Sequence, residues 1–284
     1  MDNIFNLIWF FIILSIFLPM GQKRLLEARR ILLIKSIEKK RKSRVITLIH
    51  RQETLSFLGI PISRYIGIED AEQILSAIHL TPNNMPVDII MHTPGGLVLA
   101  SEQIAFALKR HKGKVTVFIP HYAMSGGTFI ALAADNIVMS QNAVLGAIDP
   151  QLGDPQTGAF PAVSILKALK TANPNRDDKT LIYGDIAQKA QNQIYEATQN
   201  LLLKHFSKNK AVKIAQILTS GRRTHDYPIF VEELKVIGLP VSDKIPEEIY
   251  SLMKLYPKEK YASRGVEFIP APYRPEPEKP KKNE

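Results

Sequence analysis

The chemistry this sequence offers is concentrated in two glycine turns. The first, Thr93-Pro94-Gly95-Gly96, ends an apolar run from Val87 to Met91 and precedes a helical pattern from Leu97 to Lys109. The second, Ala123-Met124-Ser125-Gly126-Gly127, follows the strand pattern Lys114 to Pro120 and opens a helix, Thr128 to Ala134. Glycine at such a turn lets the backbone approach a ligand with no Cβ in the way, and the helix start leaves amide N–H groups pointing outward. Ser125 stands on the second turn with small neighbours behind it, open to a bulky electrophile. Consecutive strand-to-helix turns of a parallel sheet deliver their loops to one edge of that sheet, where ligands bind in open α/β folds. A nucleophile on one turn could therefore face amide donors on the other, as acyl transfer requires. The competing reading of Ser125 is a helix N-cap, the ordinary use of a serine before a helix.

These residues resemble the Clp-protease/crotonase superfold, and within it the signal-peptide-peptidase-like membrane proteases and the serine dehydrogenase proteinase family. The resemblance is carried by Pro94-Gly95-Gly96, by Ala123-Met124-Ser125-Gly126-Gly127 and by Leu145-Gly146-Ala147-Ile148-Asp149-Pro150, in order and spacing from about Arg44 to Val241. It implies an α/β domain of ββα-repeat spiral form, with Ser125 as nucleophile. It also implies an oxyanion hole made by the amide of Gly126 and that of Gly95 or Gly96.

A serine hydroxyl needs a base. Clp-type peptidases place a histidine soon after the strand that follows the serine helix, but this chain reads Gly146-Ala147-Ile148-Asp149-Pro150-Gln151 there, with no histidine. The signal-peptide-peptidase-like group uses a lysine near the start of a long downstream helix, and Lys189 occupies the matching place. It lies beside the stripe Ile182, Ile186, Gln193 and Ala197, so its ammonium is expected to turn toward protein, where burial lowers a lysine's pKa. The alternatives are a solvated Lys189, Lys167 as the base, or His225. The loop Thr224-His225-Asp226-Tyr227-Pro228 resembles the family's WTHDYPI element, with Arg223 in the tryptophan's place. His225 and Asp226 are adjacent and point apart, which suits turn stabilisation or substrate binding. Asp149, before Pro150, reads as structural. The histidines lack metal-ligand spacing, Gly95-Gly96 lacks the rest of a phosphate loop, and no cofactor or metal is expected.

Around this core, 284 residues with 45% hydrophobic content suit one large α/β domain plus appendages. The absence of cysteine excludes disulfides, thiol catalysis and cysteine zinc sites. The net charge of +10 is concentrated between Lys23 and Arg44 and in the tail, without aromatic interleaving, which suits a membrane flank and not nucleic acid. Residues Ile4 to Leu18 form a nearly continuous apolar run followed by Gln22-Lys23-Arg24, with no cleavage pattern. This predicts a retained single-pass anchor whose basic side faces the cytoplasm. The expected organisation is an anchor over 1–21, a basic amphipathic helix over 22–43 with Leu25, Leu26, Leu32, Leu33 and Ile37 on one face, a domain over 44–262, and a disordered Pro/Lys-rich tail over 263–284.

The periodicity predicts strands at Val45–His50, Asp88–His92, Val115–Ile119, Ile137–Met139 and Val144–Ala147, with a further one near Leu239–Ser242. It predicts helices at Ile68–His79, Ile165–Leu169, about Thr180–His205 with Asp177 or Asp178 as cap, Lys208–Leu218, and Val231–Ile237 closed by Gly238. Asp149 to Pro161 is expected to be a loop. The functional expectation is a homo-oligomeric Ser-Lys peptidase anchored in the cell membrane and acting on peptides or proteins beside it. A catalytically silent membrane scaffold and a crotonase-type acyl-CoA enzyme are the alternatives.

Overall fold

The computed structural model describes residues 2–51, 56–57, 60–61, 65–154 and 158–256, and within its first helix not the side chains of 2–8, 10, 12–16 and 19. The tail expected over 263–284 lies outside the described residues. Helix α1 (Asp2–Arg41) leads into strand β1 (Arg44–Ile49), a ribbon of β2 (Ser56–Phe57) and β3 (Ile60–Pro61), helix α2 (Ile68–His79), β4 (Val87–His92), α3 (Val98–Arg110), β5 (Val115–Ile119) and β6 (Tyr122–Ala123). Next come α4 (Gly126–Ala131), β7 (Asn136–Met139), β8 (Val144–Leu145), a hairpin of β9 (Gln151–Asp154) and β10 (Gly158–Pro161), and helices α5 (Ala162–Leu169), α6 (Asp178–Leu202) and α7 (Lys208–Thr219). The described chain closes with β11 (Ile229–Phe230), α8 (Val231–Ile237), β12 (Val241–Ser242) and α9 (Glu247–Lys254).

Five strands form a parallel sheet in the order β1-β4-β5-β7-β12. Every residue of β4 and β5 is buried, because a parallel sheet is covered on both faces. The two-residue alternation sorts their side chains. Val87, Ile89, Met91, Val115, Val117 and Ile119 enter the larger core, against α2, α3, α4 and α7. Ile90 and Phe118 point the other way, into a second core with Ile37, Ile249, Leu252 and Met253. A small sheet, β11-β8-β6, lies across the end of the first, with β6 and β8 parallel and β11 antiparallel to β8.

The second core shows what α1 does. At 40 residues it is about 60 Å long, and its last turns dock on the sheet through Leu33, Ile34 and buried Ile37. Arg41 and Ser43 both bind Asp88, the latter by a 2.5 Å hydrogen bond. Lys40 pairs with Glu248 on α9. The expected single apolar face of residues 22–43 is thus divided, since Leu25 and Leu32 are exposed while Ile37 is covered. The expected anchor, 1–21, falls largely on side chains outside the described ones. Among the described residues no helix is long and apolar enough to cross a membrane.

Most elements fall where the periodicity puts them. Helix α2 matches residue for residue, Asp177 caps α6 by accepting the Thr180 amide at 2.8 Å, and Gly238 closes α8 at φ 96°. Two segments differ from expectation. The expected loop Asp149–Pro161 contains β9 and β10, a ribbon too short and too poor in β-branched residues to announce itself. Helix α9 has the usual opening, Pro246 followed by Glu247 and Glu248, and supplies Ile249, Leu252 and Met253 to the second core.

Candidate active site

β4 and β5 are neighbours running in the same direction, so the turns that follow them emerge together. Backbone bonds then tie the two turns to each other. The Thr93 amide donates to the Tyr122 carbonyl at 3.2 Å, and the Met124 amide donates to the Thr93 carbonyl at 3.0 Å. Thr128 fixes the third segment, donating its hydroxyl to the Ala123 carbonyl at 2.8 Å while accepting the Gly146 amide at 3.0 Å. Leu145 to Pro150 is thereby held against the serine turn.

Ser125 sits at φ 49° and ψ −115°, a conformation that costs a non-glycine residue about 1–3 kcal/mol. It immediately precedes α4, yet its side chain makes no capping hydrogen bond. The N-cap reading therefore does not account for the serine. The strain turns its Cβ toward the first turn: a Cβ added to Gly95, itself at φ 105°, would lie 2.8 Å from that of Ser125. Only glycine permits this approach.

The two candidate amides of the first turn differ. Gly95 N–H is engaged with Thr93 Oγ1 at 3.2 Å. Ile66 binds the flanking groups instead, its amide donating to the Gly95 carbonyl at 2.8 Å and its carbonyl accepting the Leu97 amide at 2.9 Å. In a parallel bridge of this kind the central N–H, that of Gly96, faces away from the partner strand. It faces Gly126, whose would-be Cβ lies 3.5 Å from Gly96 N. A side chain on Gly96 would meet the Ile66 backbone at 2.3 Å.

Ser125, Gly96 and Gly126 line a cavity of about 230 Å³, and Asp149 and His225 line the same cavity. His225 Nδ1 lies 2.7 Å from Asp149 Oδ1, and Gln151 Nε2 donates to Asp149 Oδ2 at 2.7 Å. Asp149 is buried, at 3% exposure. A carboxylate only accepts, so Nδ1 carries the proton in a neutral His225 and Nε2 is left as an acceptor. Asp149, read as structural from the sequence, meets a histidine 76 residues away. Nothing local in the sequence marks that pairing, which β8 and the turn before β11 bring about.

Lys189 stands apart from this cavity. Its Nζ pairs with Asp185 Oδ2 at 2.6 Å, one turn away on α6, and its side chain is 68% exposed. The expectation of an inward-turned ammonium is corrected for a geometric reason. The buried stripe of α6 is Gly184, Ala187, Ile194, Thr198, Leu201 and Leu202, whereas Ile182 and Ile186, on the expected inward side, are exposed. Two residues beyond Ala187, Lys189 is about 200° around the helix. Lys167, in the last turn of α5, is also exposed and outside the cavity wall, and so is Asp226. Arg223 stacks on Tyr227 at 4.0 Å and pairs with Glu233, so a flat side chain does occupy the position of the expected tryptophan. Ser101 and Glu102, at the start of α3, also line the cavity, and no motif in the sequence marks them. Burial raises the Glu102 carboxyl above its ordinary pKa.

The chain is similar to several known proteins. Two uncharacterized proteins of Methanocaldococcus jannaschii are similar to the chain: MJ1495, 51% identical over 273 residues, covering 96% of this chain and 91% of that one, and MJ0137, 50% identical over 272 residues, covering 95% and 92%. Among solved structures, a mutant of the 1510-N membrane-bound stomatin-specific protease aligns at TM-score 0.45 and 21% identity, over 66% of this chain and 79% of that one. ClpP1 from Listeria monocytogenes aligns at TM-score 0.44 and 17% identity, over 75% and 98%. The family of ClpP-like SDH-type serine proteinases matches residues 1–282. The parallel sheet with its two stitched turns is accordingly a Clp-protease-like α/β fold, and the chain belongs to the ClpP-like SDH-type serine proteinases.

Proposed function

We propose that the chain is a serine peptidase in which Ser125 is the nucleophile, His225 its base and Asp149 the residue that holds His225. The observation that carries this reading is the 2.7 Å contact between His225 Nδ1 and buried Asp149, in the wall of the cavity that a strained Ser125 also lines. His225 Nε2 takes the hydroxyl proton as Ser125 Oγ attacks the peptide carbonyl, and returns it to the departing amine as the C–N bond breaks. Water, deprotonated by the same nitrogen, then cleaves the acyl-serine. The developing oxyanion is received by the amides of Gly126 and Gly96, while Gly95 spaces the turn and binds Thr93. This replaces the Ser-Lys dyad, because Lys189 is exposed, pairs with Asp185 and lies outside the cavity wall.

The acyl-CoA alternative finds two acids in the cavity, Glu102 and Asp149, but Asp149 is engaged by His225 and Gln151, and the alternative gives no reason for a strained serine beside that histidine-carboxylate pair. The silent scaffold gives none either. The test is fluorophosphonate labelling and peptide hydrolysis by the full chain and its variants. Labelling of the wild type but not of Ser125→Ala, with activity lost in His225→Ala and retained in Lys189→Ala, is the expected result. Activity retained in His225→Ala and lost in Lys189→Ala would restore the dyad.

The membrane reading rests on α1. Trp9, Phe11, Phe17 and Leu18 are exposed on its N-terminal half, and Lys23, Arg24, Arg29 and Arg30 follow. We assign that half to the bilayer as a single-pass anchor, with the peptidase on the cytoplasmic side and peptides or proteins near the membrane as substrates. Assembly into homo-oligomers belongs to the same reading. Release of the full chain from vesicles by carbonate, with no detergent, would overturn the anchor.

A further inference from the structure

The proposed chemistry leaves two polar groups in the cavity wall unused. Ser101 is buried, at 2% exposure, and its Oγ has no hydrogen-bond partner among the described residues. That oxygen sits against the serine turn, since a Cβ on Gly126 would lie 2.3 Å from it. The next residue, Glu102, lines the same cavity, and among the described residues no lysine, arginine or histidine pairs with it. The cavity's other acid, Asp149, has its oxygens occupied by His225 and Gln151. The surrounding wall is apolar, from Val98, Phe129, Ile148 and Ile194.

An apolar wall suits an aliphatic stem, and an uncommitted carboxylate beside an unsatisfied hydroxyl suits a cation at its tip. Ser101 is cut off from water and Glu102 is half-buried, so a donor-only cation restores a partner to each. We propose that this part of the cavity is the subsite for a lysine or arginine side chain of the substrate peptide, on the residue whose carbonyl is attacked, with Glu102 pairing with the cation and Ser101 accepting a further hydrogen bond from it. This assignment rests on the reading of Ser125 as the peptidase nucleophile.

The full chain and its Glu102→Gln and Ser101→Ala variants are tested on N-acetylated peptide coumarin amides carrying arginine, lysine, norleucine or glutamate before the scissile bond, and on a leucine amide with a free α-amino group. The wild type is expected to favour arginine and lysine over norleucine. Glu102→Gln should cut that ratio roughly 10- to 100-fold, the size of a lost charge-assisted hydrogen bond, and Ser101→Ala should cut it less. Norleucine matching lysine in the wild type, a ratio unmoved by Glu102→Gln, or preference for the free-amino substrate would overturn the subsite. If no amide turns over, protection of Ser125 from fluorophosphonate by benzamidinium in the wild type but not in Glu102→Gln supports it, and equal or absent protection refutes it. Labelled Ser125 without basic preference sinks the subsite alone. A Ser125 that never labels removes the peptidase reading, and the subsite with it.

Discussion

Two charge-assisted pairs in this molecule have nearly the same length and opposite meanings. His225 Nδ1 lies 2.7 Å from Asp149, and Lys189 Nζ lies 2.6 Å from Asp185. The first pair joins segments 76 residues apart, with side-chain exposures of 31% and 1%, while the second is an i,i+4 pair on one helix, exposed at 68% and 62%. Water competes for the second, and such pairs contribute about 0.3–0.5 kcal/mol. In the first, a buried carboxylate fixes a ring, its tautomer and the direction of its free nitrogen. Separation alone does not orient a side chain; a buried partner does.

The strongest way to break this contrast is to remove the reacting atoms. Ser125→Ala or His225→Ala should lower kcat by on the order of 10⁴ to 10⁶, and the double variant should be little worse than either, because members of such a unit fail together. Independent, multiplying losses in kcat would speak against a shared step. Asp149→Asn keeps the shape but offers the imidazole a donor in place of an acceptor, so the wrong tautomer is favoured. A loss of about 10⁴ in kcat with little change in melting temperature is expected. A loss under tenfold would return Asp149 to a structural role.

A smaller effect is expected at the first turn. In Gly96→Ala the new methyl would meet the Ile66 backbone at 2.3 Å, so the turn must move. A kcat loss of about 10² to 10³ and a stability loss of about 1–3 kcal/mol follow. Unchanged kcat with the stability loss present would remove that amide from the oxyanion hole.

The legible and illegible parts of the site divide along the same contrast. Ser125, Gly95, Gly96 and Gly126 are readable because turns between a strand and a helix are local, and only glycine tolerates 2.8 Å between a Cβ at position 95 and that of Ser125. Helices α2 and α8 are readable because periodicity and capping are local too. The histidine's partner is not, since Asp149 and His225 meet only after β11 pairs with β8. Lys189 misleads for the complementary reason. A helix of 25 residues with a weakly apolar stripe leaves its facing side to be chosen by α5 and α7, and Gly184 under Leu169 shows which side was chosen.

A third cluster tests whether buried charge behaves the same way outside the site. Asp135 accepts the Val115 amide at 2.7 Å and pairs with Lys204 at 2.9 Å, with His205 behind. Burial alone would raise Asp135, but the Val115 amide, Lys204 and His205 outweigh it and hold the carboxyl below its ordinary range. Burial, then Lys204, holds His205 below its ordinary value. A depressed histidine means the unfolded chain binds the proton first, so stability falls as pH drops below about 6.5. The Asp135 contribution is lost later, as pH falls through the ordinary carboxylate range near 4. The melting temperature should therefore decline between about pH 7.5 and 5.5, and less so in His205→Gln. An equal decline in both proteins would place the titrating group elsewhere.

The smallest expected effect is the sharpest test of the comparison. Lys189→Ala removes an ammonium that is 68% exposed and already paired along its own helix, so peptidase rate should stay within about twofold and stability within about 0.5 kcal/mol. For Lys189 to act as a base it would have to leave Asp185, lose its hydration and swing from the far side of α6, about 160° away, to reach the buried stripe. Folded Lys189→Ala protein with kcat reduced a hundredfold or more, at unchanged melting temperature, would mean that α6 rotates or that a second copy presents its lysine to the cavity. Asp185→Asn separates those outcomes from a structural effect. It frees Lys189 without removing it, and should leave the rate unchanged if the lysine is a spectator and alter the pH profile if it is the base.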